Sequence, residues 1–314
     1  MIKKDSSELE KIAEKSVHKP VLLQEVINEL NLAETDFVLD GTLGGGGYFK
    51  AIYEALGKKG MLIGLDQDPE AIKLFKANFS EKKTGPQIEL VNDNFRNVDK
   101  VLKDLRLGKV DKIVFDLGLS SDQLDNSGRG FSFQKDEPLQ MSLKKDLSKN
   151  DLSAKEIVNT WDEENLADII FGYGDEKFSR GIAKGICQAR EEKEIETTFE
   201  LVEIIKESVP KSYLFRKTHF ATKTFQALRI MVNDEIEGLK ESLEKAFESL
   251  KPEGRLAVVS FHSLEDRIIK RYFRLLKDDK KALLINKKPI CVSDEELKEN
   301  PRSRSAKLRV IEKL

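Results

Sequence analysis

Three acids, Asp40, Asp66 and Asp116, each close a short apolar run: Phe37-Val38-Leu39, Met61 to Leu65, and Ile113-Val114-Phe115. After Asp40 come Gly41-Thr42-Leu43 and then four consecutive glycines, Gly44 to Gly47. A loop without β-carbons can take positive φ and let a ligand approach its backbone closely. Phosphate is the first ligand to consider, and the residues argue against it. The dinucleotide fingerprint fails because Phe49 and Lys50 stand at both places where its third glycine could fall, and there is no P-loop. Asp40 at the mouth of the loop would repel a pyrophosphate but suits a cationic ligand. S-adenosylmethionine carries an ammonium, a sulfonium and a ribose diol, and Asp66 is placed to accept paired hydrogen bonds from that diol. Asp40 and Gly44 are therefore candidate donor contacts.

Methyl transfer from a sulfonium is an in-line displacement, so the protein must align acceptor and methyl and exclude water. An exocyclic base amine is a poor nucleophile, and a carboxylate that holds one of its N–H groups helps it attack. Asp116 is the catalytic candidate by position. It opens Asp116-Leu117-Gly118-Leu119-Ser120-Ser121-Asp122-Gln123, where Gly118 permits close approach and the two-sided amide of Gln123 can reach adenine. The same run equally reads as a helix start. Arg129-Gly130-Phe131-Ser132-Phe133 places aromatics beside a cation, for stacking on a splayed base or for anchoring a loop. Gln226, Arg229 and Asn233 share one face of an otherwise apolar helix. His262 follows an apolar run directly and reads more readily as a capping histidine than as a base. Arg302, Arg304, Lys307 and Arg309 lie within ten residues and suit phosphate contacts.

The elements that must position these groups alternate. Strand patterns at Phe37–Asp40, Met61–Asp66, Ile88–Val91, Lys112–Leu117, Arg255–Phe261 and Lys307–Ile311 are accompanied, in the first half, by helical stretches at Tyr48–Leu56, Pro69–Phe79 and Val98–Leu105. This predicts an α/β domain with a parallel sheet and helices on both faces. After Asp116 the alternation stops and helical periodicity takes over, with Ser153–Asn159, Glu163–Phe171, Phe178–Arg190 and Thr198–Glu207. The expected organisation is a flexible tail at 1–17, an α/β domain at 18–124 and 218–314, and a helical insertion at 125–217 that selects the substrate.

At 314 residues the chain is long enough for such a core plus an insertion. Its 39% apolar and 35% charged residues fit a soluble intracellular protein. Cys187 and Cys291 form no C-x-x-C, three histidines suggest no cluster, and no metal is expected. No apolar run is long enough to span a membrane and the first residues lack a signal-peptide core, so a cytoplasmic location is expected. Charge is uneven: residues 251–314 hold 17 Lys and Arg against 10 Asp and Glu, while residues 1–250 hold 37 against 46. A basic end on an acidic body suits a polyanion, although a solvated helix face around Arg267 to Lys281 would give the same count.

Seven blocks in order, His18-Lys19-Pro20-Val21-Leu22-Leu23, Asp40 to Gly47, Asp116 to Ser121, Arg129 to Phe133, Phe225 to Ile230, Ser260 to Asp266 and Asn300 to Ala306, resemble the signature of the bacterial 16S rRNA (cytidine-N4)-methyltransferase family, RsmH (also called MraW). The resemblance implies a class I (Rossmann-like) S-adenosylmethionine-dependent methyltransferase sheet with an inserted helical domain. It implies S-adenosylmethionine as donor and a cytidine of the decoding region as acceptor, with 16S ribosomal RNA, within the small ribosomal subunit, as partner. The family's donor contacts fall on Gly46, Gly47, Tyr48, Asp66, Phe95, Asp116 and Gln123. RNA contacts are expected among Arg129, Phe131, Phe133, Arg229, His262, Arg302 and Arg304. Two places depart from the pattern. Tyr48 stands where the family has histidine, and Leu139-Gln140-Met141-Ser142-Leu143 where it reads Leu-Asp-Met-Arg-Met. A methyltransferase for a base amine of DNA or another RNA, and a non-catalytic ribosome assembly factor, remain open alternatives, as does oligomeric state.

Overall fold

The structure is a computed structural model that describes residues 20–118, 124, 127–144, 148 and 151–314. The tail expected at 1–17, His18 and Gln123 lie outside those residues. The chain forms two compact units, one running to Ser120 and resuming at Glu237, the other from Ser121 to Ile236.

The first unit is built on an eight-stranded sheet, counted among the described residues. Its early strands are β1 (Phe37–Asp40), β2 (Met61–Asp66), β3 (Gln87–Asn92) and β4 (Val110–Asp116), followed by β5 (Leu250–Ser260), β6 (Ala282–Leu284), β7 (Ile290–Cys291) and β8 (Lys307–Lys313). The order is β3-β2-β1-β4-β5-β8-β6, with β7 also paired to β8. β1 to β5 run parallel, and β8 is antiparallel to β5, β6 and β7. Strand order therefore reverses between β1 and β4. At such a switch point the flanking connections leave to opposite faces and open a crevice at the carboxyl ends of the strands.

Alternation along the strands divides the core into two layers. Leu39, Ile63, Ile113, Phe115, Leu256 and Val258 face one way, toward α4 (Val98–Asp104) and the helices α11 (Glu235–Glu248) and α12 (Ser263–Asp278). Val38, Leu62, Val114, Ala257 and Val259 face the other, toward α1 (Leu23–Leu30), α2 (Gly47–Ala55) and α3 (Pro69–Asn78). Local chemistry fixes where the helices start. Asp68 caps α3 by accepting from the Glu70 N–H, with Pro69 in the first helical turn. His262 caps α12 in a reciprocal pair with Glu265.

The second unit contains α5 (Ala154–Thr160), α6 (Glu163–Gly174), α7 (Ser179–Glu192), α8 (Thr198–Glu207), α9 (Lys211–Leu214) and α10 (Thr222–Val232). Ile157, Leu166, Ile170, Ile182, Ile186, Leu201 and Leu228 are fully buried there. The sequence boundary at 217/218 needs correction. α10 packs on α6 so closely that a β-carbon at Gly174 would stand 2.5 Å from the Lys223 carbonyl oxygen. That helix therefore belongs to the inserted unit, which extends to Ile236.

Candidate active site

Asp40 and Asp116 end the two strands that flank the switch point. Thr42 links them: its N–H donates to Asp40 Oδ1 at 3.1 Å, and its hydroxyl accepts the Asp116 N–H at 2.7 Å. The Gly41 N–H donates to the Val114 carbonyl at 3.0 Å. A side chain at Gly41 would strike the Phe115 ring, 2.4 Å from its β-carbon. The start of the loop is thus fastened to β4 as well as to β1. Sequence reasoning did not single out Thr42; its signal is a hydroxyl residue two places after the acid, within reach of the neighbouring strand.

The glycines divide their work. Gly46 takes φ +75°, and its β-carbon would overlap the Phe75 ring at 2.1 Å, so it serves packing and the turn into α2. A β-carbon at Gly47 would meet Pro20 at 2.6 Å. Gly44 takes φ +48° but has open space beside it, the nearest atom being the Thr42 carbonyl oxygen at 3.8 Å. Its N–H donates to Asp66 Oδ2 at 2.8 Å, while Asp66 Oδ1 accepts the Asp68 N–H at 2.8 Å. Asp66 therefore shapes the loop, and each of its oxygens retains a second lone pair for a ligand. Burial raises its carboxyl above the usual 3.8. Phe95, in a short 3-10 turn after β3, stands half-buried with its ring 5.2 Å from that of Phe115.

Two oxygens in this crevice lack partners. Asp40 Oδ2 and Asp116 Oδ1 are buried and accept no hydrogen bond among the described residues. Burial, with the neighbouring Asp66 charge adding to it, pushes the Asp40 carboxyl from 3.8 to about 7. Burial followed by the Asp40 charge does the same to Asp116. Unmet acceptors of this kind fit a cationic ligand that also carries N–H donors.

Tyr48 offers the crevice its backbone and not its side chain. Its ring is in the core and its hydroxyl donates to the Val21 carbonyl, so the crevice meets only its backbone. That backbone lies in the first turn of α2, where helix N–H groups have no intrahelical partner and favour anionic groups.

Several residues expected to contact RNA are engaged within the protein. Arg229 forms a two-pronged pair with Glu235, Nε to Oε1 and Nη2 to Oε2, both at 2.9 Å. Asn233 accepts from the Leu143 N–H and donates to the Met141 carbonyl, each at 2.8 Å, and Gln226 donates to the Tyr173 carbonyl at 3.0 Å. The polar face of α10 thus stitches its own unit together. Arg129 donates to the Ser142 and Leu143 carbonyls at 3.1 and 3.0 Å and lies over the buried Phe131 ring, which is the loop-anchoring reading. His262 Nδ1 accepts the Glu265 N–H at 3.4 Å, so the side chain is committed to capping α12. Phe133 stays half-buried and stacks on His219 at 4.5 Å, and Arg302 and Arg304 are exposed on a 3-10 turn at Pro301–Ser305. The departing segment at 139–143 is fastened by main chain: Leu139 N–H to Glu196, Met141 N–H to Arg129, and its carbonyls to the N–H groups of Ala154 and Lys155. Exchanging its side chains leaves those bonds in place.

An open sheet of this order, which meets its ligand at the switch point with carboxylates in place of a phosphate cradle, is that of the class I S-adenosylmethionine-dependent methyltransferases, and this chain is one. The comparison with known proteins is narrower still. The family described as the MraW methylase family matches residues 15–314, and the chain belongs to it. A ribosomal RNA small subunit methyltransferase H from Ruminiclostridium cellulolyticum is 43% identical, aligning over 95% of this chain and 99% of its own length. Proteins of the same name from Clostridium botulinum (Kyoto, type A2) and Finegoldia magna are 45% and 42% identical, each over 95% of this chain and over 99% and 98% of their own lengths. Among the described residues no helix is long and apolar enough to cross a membrane.

Proposed function

We propose that this chain methylates the exocyclic N4 of a cytidine in the decoding region of 16S ribosomal RNA, presented within the small ribosomal subunit in the cytoplasm. The observation that carries the reading is the pair of buried, unpartnered oxygens on Asp40 and Asp116 at the switch point. The names borne by relatives along nearly their whole length support the RNA substrate. When bound, S-adenosylmethionine supplies a methyl group on a sulfonium. Asp40, Asp66, Phe95 and the loop from Gly44 to Tyr48 hold the donor, with Gln123 reaching its adenine. Asp116 holds an N–H of the acceptor amine, which localises the nitrogen lone pair for attack. As the nitrogen–methyl bond forms and the methyl–sulfur bond breaks, the nitrogen sheds a proton. A carboxyl pushed up to about 7 takes and releases protons near neutral pH. The target base must leave its stack to reach this position, and the inserted unit is the part that selects the RNA.

The test is transfer of labelled methyl to small subunits lacking the modification, followed by nucleoside mass spectrometry. N4-methylcytidine is expected from the wild type, and Asp116→Asn should lose transfer while still binding donor. Donor binding without transfer by the wild type would replace this reading with an assembly factor, and a methylated base other than cytidine would replace the acceptor.

A further inference from the structure

The first unit carries a second cluster of polar groups that the donor crevice does not use. Between α12, the segment following β6 and β8 lies a pocket lined by Lys270, Arg274, Lys287, Arg309 and Asn286. Its apolar wall is Phe273 and Leu284, and no acid lines it. Lys270, Arg274 and Lys287 are exposed and form no ion pair among the described residues. Arg309 is buried and pinned by Asp266, which accepts from its Nε at 2.6 Å. The other guanidinium donors of Arg309 remain available. Asn286 is also fixed: its Oδ1 accepts the Val310 N–H at 3.2 Å, and its Nδ2 is buried with no partner. A buried donor without an acceptor is costly, and this one belongs to a residue that lines the pocket.

We propose that this pocket holds a backbone phosphate of the RNA substrate, an anchoring subsite separate from the donor crevice; the proposal rests on the ribosomal RNA reading above. A phosphate offers several acceptor oxygens on one centre, which suits a guanidinium, ammonium groups and an amide donor converging from three segments. No exposed aromatic lines the pocket, so it offers nothing for a base to stack on and suits the phosphate backbone, which positions RNA without reading sequence. The cations continue along α12. Arg267, Lys270, Arg271, Arg274 and Lys277 fall on one exposed face at helical spacing. α12 begins at the carboxyl end of β5, the sheet end that also carries Asp40 and Asp116. Lys270 and Arg274 lie about 10 to 16 Å along the helix from that start. The subsite can therefore grip the strand a short distance from the base being modified.

The experiment uses the full chain and a fluorescently labelled RNA fragment of the decoding region, with affinity measured by anisotropy over a salt series. Lys270→Ala with Arg274→Ala, and separately Lys287→Ala, should weaken binding and flatten the dependence of log K on log salt by about 0.7 for each phosphate no longer neutralised. Asn286→Asp keeps the acceptor for Val310 but places an anion among the cations, and should lower RNA affinity on the order of tenfold. Donor affinity should be unchanged in all three. RNA affinity and salt slope equal to wild type in the Lys270/Arg274 and Asn286 variants would overturn the proposal, even if the wild type methylates subunits normally. Loss of RNA binding in these variants alongside a wild type that never transfers methyl would leave the pocket standing and remove the methylation reading.

Discussion

Asp40→Asn should make the ligand-free protein more stable at pH 8 while weakening its grip on the donor. Asp40 is fully buried, and its folded carboxyl holds a proton to about pH 7 instead of 3.8. In the unfolded chain the same group ionises near its ordinary value. Between those two pH values the folded state binds the extra proton, so stability falls as pH rises from about 4 to about 7 and is flat above. One such group amounts to about 4 kcal/mol at full ionisation. Asp116 lies close enough to share in the same titration, so that figure is the scale for the pair's first proton. Asparagine keeps the acceptor for the Thr42 N–H and replaces the unpartnered Oδ2 with a neutral donor. The variant should therefore gain about 2–3 kcal/mol more over wild type at pH 8 than at pH 5, and relieve the neighbouring Asp116. Denaturant unfolding at both pH values measures this directly. Calorimetric titration with S-adenosylmethionine in buffers of different ionisation enthalpy should show proton release in the wild type, because a cation entering the crevice favours both carboxylates. A wild-type stability equal at pH 5 and pH 8, or an Asp40→Asn protein with the wild-type pH dependence, would refute the reasoning.

Gly46→Ala combines a φ of +75° with a β-carbon 2.1 Å from Phe75, and should destabilise by about 2–4 kcal/mol in thermal unfolding. Gly44→Ala has room for its methyl and should cost only about 1 kcal/mol, but should reduce donor affinity in titration calorimetry because the methyl stands in the open space beside the loop. Arg229→Ala leaves Glu235 without its partner in a pair whose side chains are each 18% exposed, so the free energy of unfolding should fall by about 2–3 kcal/mol. RNA affinity of the folded fraction should be unchanged, and a selective loss of RNA binding would restore Arg229 to the RNA-binding set. His262→Ala should cost about 1 kcal/mol of stability, with His262→Asn recovering most of it; equal losses would remove the capping role.

The strands β1 to β5 and β8 were legible because each contains a short apolar or alternating run, and the switch-point acids were legible because the runs of β1 and β4 each end in one. β6 and β7, only three and two residues long, carry no periodic signal of their own and exist through pairing with β8. The role of Arg229 was not legible because its partner Glu235 lies beyond the end of α10, at a separation that no helical face joins. Tyr48 reads from its place in the loop as a site residue, whereas its ring follows the core stripe of α2. The cap at His262 was legible because the residue stands between a strand and a helix. The pocket around Asn286 draws its side chains from three separated segments, so no window of sequence contains it.

The position of the inserted unit has a consequence for synthesis. β4 and β5 are neighbours in the sheet, yet the whole of residues 117–249 comes between them in the chain. A nascent chain thus presents β4 as an unpaired central edge while the insertion is translated, for on the order of ten seconds at ordinary elongation rates. The sheet is completed only when β8, the last strand, has cleared the exit tunnel and paired with β5. An enzyme whose proposed substrate is the ribosome cannot finish its own catalytic sheet until the ribosome that makes it has moved beyond β8.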